Sequence, residues 1–426
     1  MLGNESEEED VNDILLGRGV GGGLMTTNEM QLFCQLMVDV VLPTGAVKLH
    51  LNLGKASNGR LKASQWLSLF TLIIPLIIPE MYIEPKERIN VNSNRGRFLE
   101  NTGDLIQCTR IACAPMIREG HAGRFHNAYN RYNKSSRILF NNPKIKPNHH
   151  YALHVPEQMQ TWGPLMGVSE FAGERMIGML QKIPTNQNIG ESHNAISGFL
   201  IGLTKKKCCV ALGEMHGTIM QRAHESQKLL ANHARVRKIL EECSKKVIKN
   251  KNMILVNGVV YAAMLNMLKS QGVQVCNLGH FPHPLGHWVL SQFSNAVRVV
   301  EIPKLRQNVS VLAPNNIVIY KDKNSWRHGL VLAIYDFIGP SKKQLTGIYI
   351  NLLISQYQRP QYPPGHIGYY LELFGVAVVL KHPLTKLMVS PNDIIFLAAY
   401  QPLENEIFRV PSDGLILCPY NHDSAI

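Results

Sequence analysis

Cysteine is scarce in this sequence, and no two cysteines form a Cys-x-x-Cys pair. The eight cysteines are scattered between positions 34 and 418 of 426 residues, and the adjacent Cys208 and Cys209 are poor disulfide partners. This spacing argues against a disulfide framework and against a cysteine-based zinc site. Residues 5–10 are acidic, which is not the pattern of a secretory signal. The sequence therefore predicts a reducing compartment, nuclear or cytoplasmic, with the nucleus favoured.

Long apolar runs and hydrolase motifs are also missing. The longest apolar run, LSLFTLIIPLIIP at 67–79, is short for a membrane span and is interrupted by Pro75 and Pro79. It predicts a buried helix with a proline-marked end, and no membrane partner. The sequence contains no Gly-x-Ser-x-Gly motif, and no Ser-His-Asp or Cys-His set can be argued from spacing.

Acidic residues are outnumbered, since 31 Asp and Glu stand against 44 Lys and Arg, giving a net charge of +13. This excess favours a polyanionic partner such as DNA, although a basic solvated surface would have the same composition. Residues 204–251 hold much of the excess positive charge. Within them, the spacing of apolar residues predicts a helix at 214–251 with one apolar face. The candidate nucleic-acid contacts in this region are Lys205, Lys206, Lys207, Arg235, Arg237, Lys238, Lys245 and Lys246.

The pattern along the chain predicts an α+β fold, with a mainly α-helical N-terminal two-thirds followed by a small antiparallel β-barrel-like domain of the SH3 or BAH kind. Residues 1–24 are acidic and glycine-rich and read as a disordered tail, 28–250 as a helical domain and 252–305 as a mixed linker region. In 308–420, five short β-type runs alternate with turn residues. These runs are NIVIYKD, WRHGLVLAIYDF, LTGIYINLL, FGVAVVLKH and DIIFLAAYQ.

Two sequence blocks carry a family resemblance. Residues 150–186 contain a Trp-Gly-Pro turn at 162–164 and then Gly173-Glu174-Arg175, and the upstream block is 51–82. In this order the blocks resemble the C-terminal half of CACTA (En/Spm-type) transposases and their fungal transposon-derived relatives. The resemblance covers about residues 28–200, and the tail at about 308–420 also looks like the end of the fungal versions.

The resemblance implies an RNase-H-like core in which three carboxylates hold two divalent ions for phosphoryl transfer. Glu174 is then the candidate for the third carboxylate, and Arg175 would contact a phosphate or Glu174 itself. A buried structural Glu-Arg pair is the competing interpretation. The family's other two carboxylates lie upstream of these blocks, and among nearby acids only Asp39 and Asp104 are candidates.

We therefore expect a non-catalytic, DNA-associated, transposon-derived protein that needs no cofactor, with Mg²⁺ or Mn²⁺ relevant only if an active site is completed. The alternative is a reader whose β-barrel recognises a chromatin or protein ligand on a helical scaffold. An active metal-dependent recombinase ranks last, because its carboxylates cannot be named.

Histidine clusters and an aromatic-basic segment are weaker signals. His149, His150 and His154 form one cluster, and His280, His283 and His287 form another that could bind zinc. Satisfied or solvated histidines are the favoured interpretation for both, so no metal site is predicted. Aromatic and basic side chains alternate in residues 125–137, FHNAYNRYNKSSR. This segment could bind nucleic acid by stacking on bases, or it could be an ordinary polar helix. The glycines at 17, 19 and 22 match the nucleotide-binding pattern G-x-G-x-x-G. No strand is predicted before them, so they do not indicate a nucleotide site.

Overall fold

Helices dominate the first part of the computed structural model, and strands dominate the second. The structure describes residues 25–51, 53, 61–83, 88–140, 146–165, 253–279, 282–323, 325–340, 343–357, 361–403, 408 and 414–420. All of these belong to one compact unit. The helices are α1 Thr27–Leu36, α2 Ala63–Ser68, α3 Ile74–Tyr82, α4 Asn94–Ala112, α5 His121–Leu139, α6 Pro147–Tyr151, α7 Val155–Trp162, α8 Gly258–Ser270 and α9 Ile367–Phe374.

Side-chain caps fix where several helices begin. Thr26 and Glu29 form a capping box at α1, in which each side chain accepts a hydrogen bond from the other's backbone N–H. Ser93 caps α4 by accepting from the N–H of Gly96 at 3.0 Å, and Asn257 caps α8 in the same way. These contacts satisfy N–H groups that have no partner within the helix.

The apolar run at 67–79 lies within a longer helix than the sequence predicted. α2 continues through a π turn, Leu69–Ile73, directly into α3, so neither proline ends the helix. Since Pro75 has no N–H, it cannot bond to the carbonyl of Thr71 four residues earlier, and that carbonyl is left for another donor. By length and composition alone Ala63–Tyr82 could span a membrane, but more than half of its apolar window is buried.

Eight of the twelve described strands form a closed antiparallel barrel with two extra strands, β1 and β4, while β2 pairs with β3 and β5 with β6 in two small sheets. Six of them follow one another around the barrel in the order β8-β7-β11-β12-β10-β9, and β9 pairs back to β8. The strands are β1 Met253–Leu255, β2 Val275–Cys276, β3 Trp288–Val289, β4 Phe293–Val297, β5 Val299–Ile302, β6 Gln307–Ser310, β7 Ile317–Asp322, β8 Ser325–Ile338, β9 Gln344–Ser355, β10 Ala377–Val389, β11 Ile394–Pro402 and β12 Leu415–Tyr420.

The length of β8 explains how the extra strands attach. Along one edge it pairs with β9 from His328 to Ile338. Along the other edge it pairs with β7 up to Leu330 and then with β4 from Ile334 onwards. β1 adds to the free edge of β4. A single long strand therefore belongs both to the barrel and to the sheet extension.

Alternate residues of β12 separate two cores. Leu415 and Leu417 pack with residues of β7 and β11 in one cluster. Ile416 and Cys418 pack with helices α3, α4 and α9 in another. This is the period of two expected when both faces of a strand are buried. The helices and the barrel therefore share a core.

The predicted α+β class and the C-terminal antiparallel β-barrel are confirmed. All five predicted β-type runs contribute to strands, namely β7 to β11. A helical N-terminal two-thirds is not shown, because the described helices of the first part end at Trp162 and 166–252 lie outside the described residues. The segment predicted as a mixed linker region contributes β1, α8 and β4 to this unit, with Met264 of α8 packed against barrel residues.

Glycine at position 96 allows α4 to begin against the preceding loop. A Cβ there would collide with the carbonyl oxygen of Asn90 and lie 2.8 Å from Cα of Val91. We expect Gly96→Ala to lower the free energy of unfolding by about 1–3 kcal/mol, since backbone must move. Gly123→Ala in α5 is the matched control: its Cβ would meet nothing within 4 Å, so it should be neutral or stabilising. Urea unfolding of both variants checks this, and equal effects would contradict it.

Candidate functional site

A cavity of about 360 Å³ lies between the barrel and helices α4 and α9. This is within the range of small-ligand pockets. The barrel contributes Trp326 and His328 from β8, the segment after β9 contributes Tyr357 and Tyr362, and α9 contributes Glu372. Arg110 of α4 also lines it, so the cavity combines the rings of Trp326, Tyr357 and Tyr362 with a histidine, a glutamate and an arginine from separate parts of the chain.

The aromatic side chains form walls at large angles. The rings of Tyr357 and Tyr362 have centroids 6.2 Å apart and planes inclined at 74°. Trp326 is 39% exposed and meets Phe396 of β11 edge to face, with centroids 5.4 Å apart. The hydroxyl of Tyr357 donates to the carbonyl of Phe408 at 3.1 Å, which holds that ring in place. A ring held by such contacts can offer its face to a ligand at low entropic cost.

The start of α9 positions Tyr362. The Nδ1 atom of His366 accepts a hydrogen bond from the N–H of Gly368 at 3.0 Å and so caps the helix. The ring of Tyr362 stacks on the His366 ring, with centroids 4.7 Å apart and planes 12° apart. A Cβ at Gly368 would lie 2.6 Å from atoms of the Tyr362 ring. Glycine at 368 therefore lets the tyrosine lie against the first turn of α9.

The cation in the cavity wall, Arg110 of α4, already has acceptors. It is 4% exposed, and its guanidinium donates to the carbonyls of Phe374 at 2.7 Å and Thr71 at 3.0 Å. It also donates to the Cys418 sulfur at 3.0 Å. The Phe374 carbonyl ends α9, where the helix dipole is negative, and the Thr71 carbonyl is the one freed by Pro75. Arg110 thereby joins α4, the π turn, α9 and β12.

The anion in the cavity wall, Glu372 of α9, is exposed. Among the described residues its carboxylate has no ion-pair or hydrogen-bond partner. A carboxylate beside aromatic faces makes the local field favourable to a cation.

His328 should make the stability sensitive to mild acid. The ring is half-buried, and this burial lowers its pKa from 6.5 to about 4. Because the unfolded chain binds the proton first, the free energy of unfolding should fall as the pH drops from about 6.5 to about 4, by at most about 3 kcal/mol. Burial raises the pKa of Glu100 and of Asp104, which acts in the opposite direction. The measurement is therefore the free energy of unfolding of the parent minus that of His328→Gln, followed from pH 6.5 to pH 4. A difference that does not change with pH would contradict the prediction.

The predicted catalytic and nucleic-acid-binding residues lie outside the described residues. These are Glu174, Arg175, Lys205, Lys206, Lys207, Arg235, Arg237, Lys238, Lys245 and Lys246. Their predicted roles stay predictions. The histidine His280 is also outside, whereas His283 and His287 lie within hydrogen-bonding distance of the carbonyls of Leu278 and Leu285.

The two candidate partner acids occupy very different environments. Asp104 of α4 is 3% exposed and accepts a bidentate hydrogen bond from Arg131 of α5, with Nε–Oδ1 at 3.0 Å. Asp39 is exposed in the turn after α1. In the part of the chain that the structure describes, no three or more His, Cys, Asp or Glu side chains group together in a way that could hold a metal ion. Asp104 therefore connects two helices through Arg131.

The cavity residues were not found from the sequence. Trp326 and His328 were included in a predicted strand, and Tyr362 and His366 stand in the turn-like stretch QYPPGHIGYY. A sequence signal did exist in this stretch, because a capping residue and glycine precede an apolar helix. Nothing in the local pattern placed these side chains beside α4.

The comparisons with known proteins give no relative. No protein-family model, curated protein or solved structure matches this chain.

Proposed function

We propose that this protein is a non-catalytic interaction module whose cavity binds a cationic, partly apolar group, such as a methylated lysine of a protein ligand. The observation that carries the proposal is the unpartnered carboxylate of Glu372 in a cavity lined by Trp326, Tyr357 and Tyr362. Aromatic faces attract cations through the ring quadrupole, and quaternary ammonium groups are the usual ligands of such sites.

The other charged groups of the cavity are compatible with a cation. The lowered pKa of His328 keeps its imidazole neutral near pH 7. The guanidinium of Arg110 does carry a positive charge, but its donors are directed to two carbonyls and a sulfur. An anionic ligand would need donors, and those of Arg110 are already engaged in holding the fold together.

This proposal corresponds to the reader alternative of the sequence analysis. The same proposal includes a protein or chromatin ligand and a nuclear location. It also includes a closer likeness of the barrel to SH3 or BAH domains. The transposon-derived origin rests on the sequence resemblance alone.

Titration with Nα-acetyl-Nε-trimethyl-lysine amide tests the proposal. We expect saturable binding by calorimetry, weakened about 3- to 30-fold by Trp326→Leu, because a cation over an indole contributes about 0.5–2 kcal/mol. The matched control is Trp66→Leu, since Trp66 is 48% exposed and stacks on Phe70, and it is not among the cavity residues. Equal weakening by both changes, or no binding to the parent, would refute the proposal.

A second candidate function, DNA association, is favoured by helix α5. Its sequence HAGRFHNAYNRYNKSSRIL contains no acidic residue, and Lys134 and Arg137 are exposed. Arg131 is also exposed over 56% of its side chain, although it contacts Asp104. An exposed basic helix face of this kind can contact phosphates without reading sequence.

DNA association predicts a steep salt dependence. We expect the affinity for a random DNA duplex to fall by orders of magnitude between about 50 and 200 mM salt. Lys134→Glu with Arg137→Glu should weaken binding to all sequences alike. Lys343→Glu with Lys386→Glu on the barrel changes the net charge equally and is the control. If both double variants bind as the parent does at low salt, the α5 face is only solvated.

A further inference from the structure

Two exposed histidines face each other at the junction of α6 and α7. His150 lies in α6, and His154 ends the short 3₁₀ turn, Ala152–His154, that leads into α7. Their Nε2 atoms are 3.5 Å apart, and the ring centroids are 5.1 Å apart with planes inclined at 79°. Both side chains are exposed, so an ion from solution can reach the two nitrogen atoms.

The separation of the two nitrogen atoms matches that of two ligands on one metal ion. Two imidazole nitrogens at about 2.0–2.1 Å from a tetrahedral zinc lie about 3.3 Å from each other. The observed 3.5 Å is close to that value, so the rings need to move only a few tenths of an ångström. The same spacing also fits a long hydrogen bond between the two rings, and metal binding would replace that contact.

A carboxylate stands on the far side of one of these rings. The Oε2 atom of Glu157 is 3.9 Å from Nδ1 of His154, the nitrogen not directed at His150. At this distance the carboxylate is within ion-pair range of the ring but not within hydrogen-bonding distance. Metal-bound histidines commonly donate their second ring N–H to a carboxylate, which fixes the tautomer that leaves Nε2 free to bind metal, and Glu157 is placed to take this role on a small side-chain movement. Glu157 lies in the first turn of α7, where a negative charge is also favoured by the helix dipole.

We propose that His150 and His154 form a surface site for a borderline divalent transition ion such as Cu²⁺, Ni²⁺ or Zn²⁺, with Glu157 as a positioning residue. The chain supplies two nitrogen ligands, and water fills the remaining positions. Imidazole selects these ions over Mg²⁺ and Ca²⁺, which prefer oxygen ligands. A bound ion would connect α6 to the turn before α7. This site is independent of the cavity between the barrel and α9.

Equilibrium dialysis of the full chain against Cu²⁺ or Zn²⁺ tests the site. We expect the parent to retain one more ion per chain at micromolar free metal than either His150→Gln or His154→Gln does. The control is His126→Gln in α5, an exposed histidine whose Nε2 lies 2.9 Å from the Asn130 amide, and it should bind as the parent does. Ions bound elsewhere in the chain are present in every variant, so they cancel when the number bound by a variant is subtracted from the number bound by the parent.

The role of Glu157 has a separate readout. Glu157→Gln should keep the stoichiometry and weaken the affinity by about tenfold, the lower end of the effect of losing a second-shell carboxylate. The Cu²⁺ electron paramagnetic resonance spectrum of the parent should show hyperfine coupling to two imidazole nitrogens, and His154→Gln should remove at least one of them. Equal ion counts and spectra in the parent, His150→Gln and His154→Gln would overturn the proposal and leave the two rings as a hydrogen-bonded pair.

Discussion

Replacing Arg110 with methionine should lower the free energy of unfolding by about 2–5 kcal/mol. The change leaves the buried Phe374 carbonyl without its side-chain donor and the Thr71 carbonyl with only the Cys418 thiol, 3.3 Å away, and each unsatisfied buried group costs about 1–3 kcal/mol. Methionine keeps most of the apolar stem of arginine, so the loss reports on the hydrogen bonds more than on packing. Pro75 has no N–H to offer the Thr71 carbonyl, so the usual donor four residues ahead cannot replace the guanidinium.

Urea unfolding of Arg110→Met and of a control variant measures this effect. Arg137 near the end of α5 is exposed, so Arg137→Met should change the stability by no more than about 0.5 kcal/mol. Similar midpoints for Arg110→Met and the parent would mean that the two carbonyls find water instead, and the explanation of the π turn would be wrong.

Reversing the charge of Glu372 should produce the largest change in ligand affinity. We expect Glu372→Gln to weaken binding of trimethyl-lysine amide about fivefold and Glu372→Lys about thirtyfold, which is about 2 kcal/mol. The physical reason is that the carboxylate is unpartnered among the described residues and shares the cavity with the aromatic rings. The effects should shrink at high salt, because Glu372 is exposed and its field is screened.

The matched control separates the local charge from the net charge. Glu119 is exposed in the turn before α5 and is not among the cavity residues, so Glu119→Lys changes the net charge equally. Calorimetric titration of both variants should show weakening only for Glu372→Lys. Equal affinities of the two variants would exclude a direct role for the Glu372 carboxylate.

The barrel was predictable because its strands carry their own signals. Short β-type runs between turn residues identified β7, β8, β9 and β11 within a few residues of their bounds, since apolar and β-branched residues between turn signals mark a strand whatever it packs against. The run predicted for β10 ends seven residues before Val389, and β12 was not among the predicted runs. β1 and β4 are short strands outside those runs, and they join the sheet only because β8 is longer than β7. Their pairing depends on a length mismatch between distant strands, which no local pattern contains.

The cavity could not be predicted, because its walls come from segments far apart in the sequence. Arg110, Trp326, Tyr362 and Glu372 come from four separate elements or loops and meet only in the folded unit. Arg110 itself looks like a surface residue in the sequence, and its burial depends on the carbonyl that Pro75 leaves free. Asp104 was selected as a possible catalytic acid, but Arg131 occupies its carboxylate, and that contact joins two helices whose facing surfaces the sequence did not specify.

The most direct measurement compares choline with its neutral isostere, 3,3-dimethylbutan-1-ol, as ligands of the full chain in calorimetric titrations. The two molecules have nearly the same shape and differ in one positive charge, so their difference in affinity isolates attraction to the aromatic rings and Glu372. We predict that choline binds about 3- to 30-fold more tightly than the neutral alcohol, corresponding to roughly 0.5–2 kcal/mol of cation–π attraction. Glu372→Gln should reduce this ratio of affinities. Equal or tighter binding of the neutral isostere, or binding of neither molecule, would contradict the proposal that this cavity receives a cation.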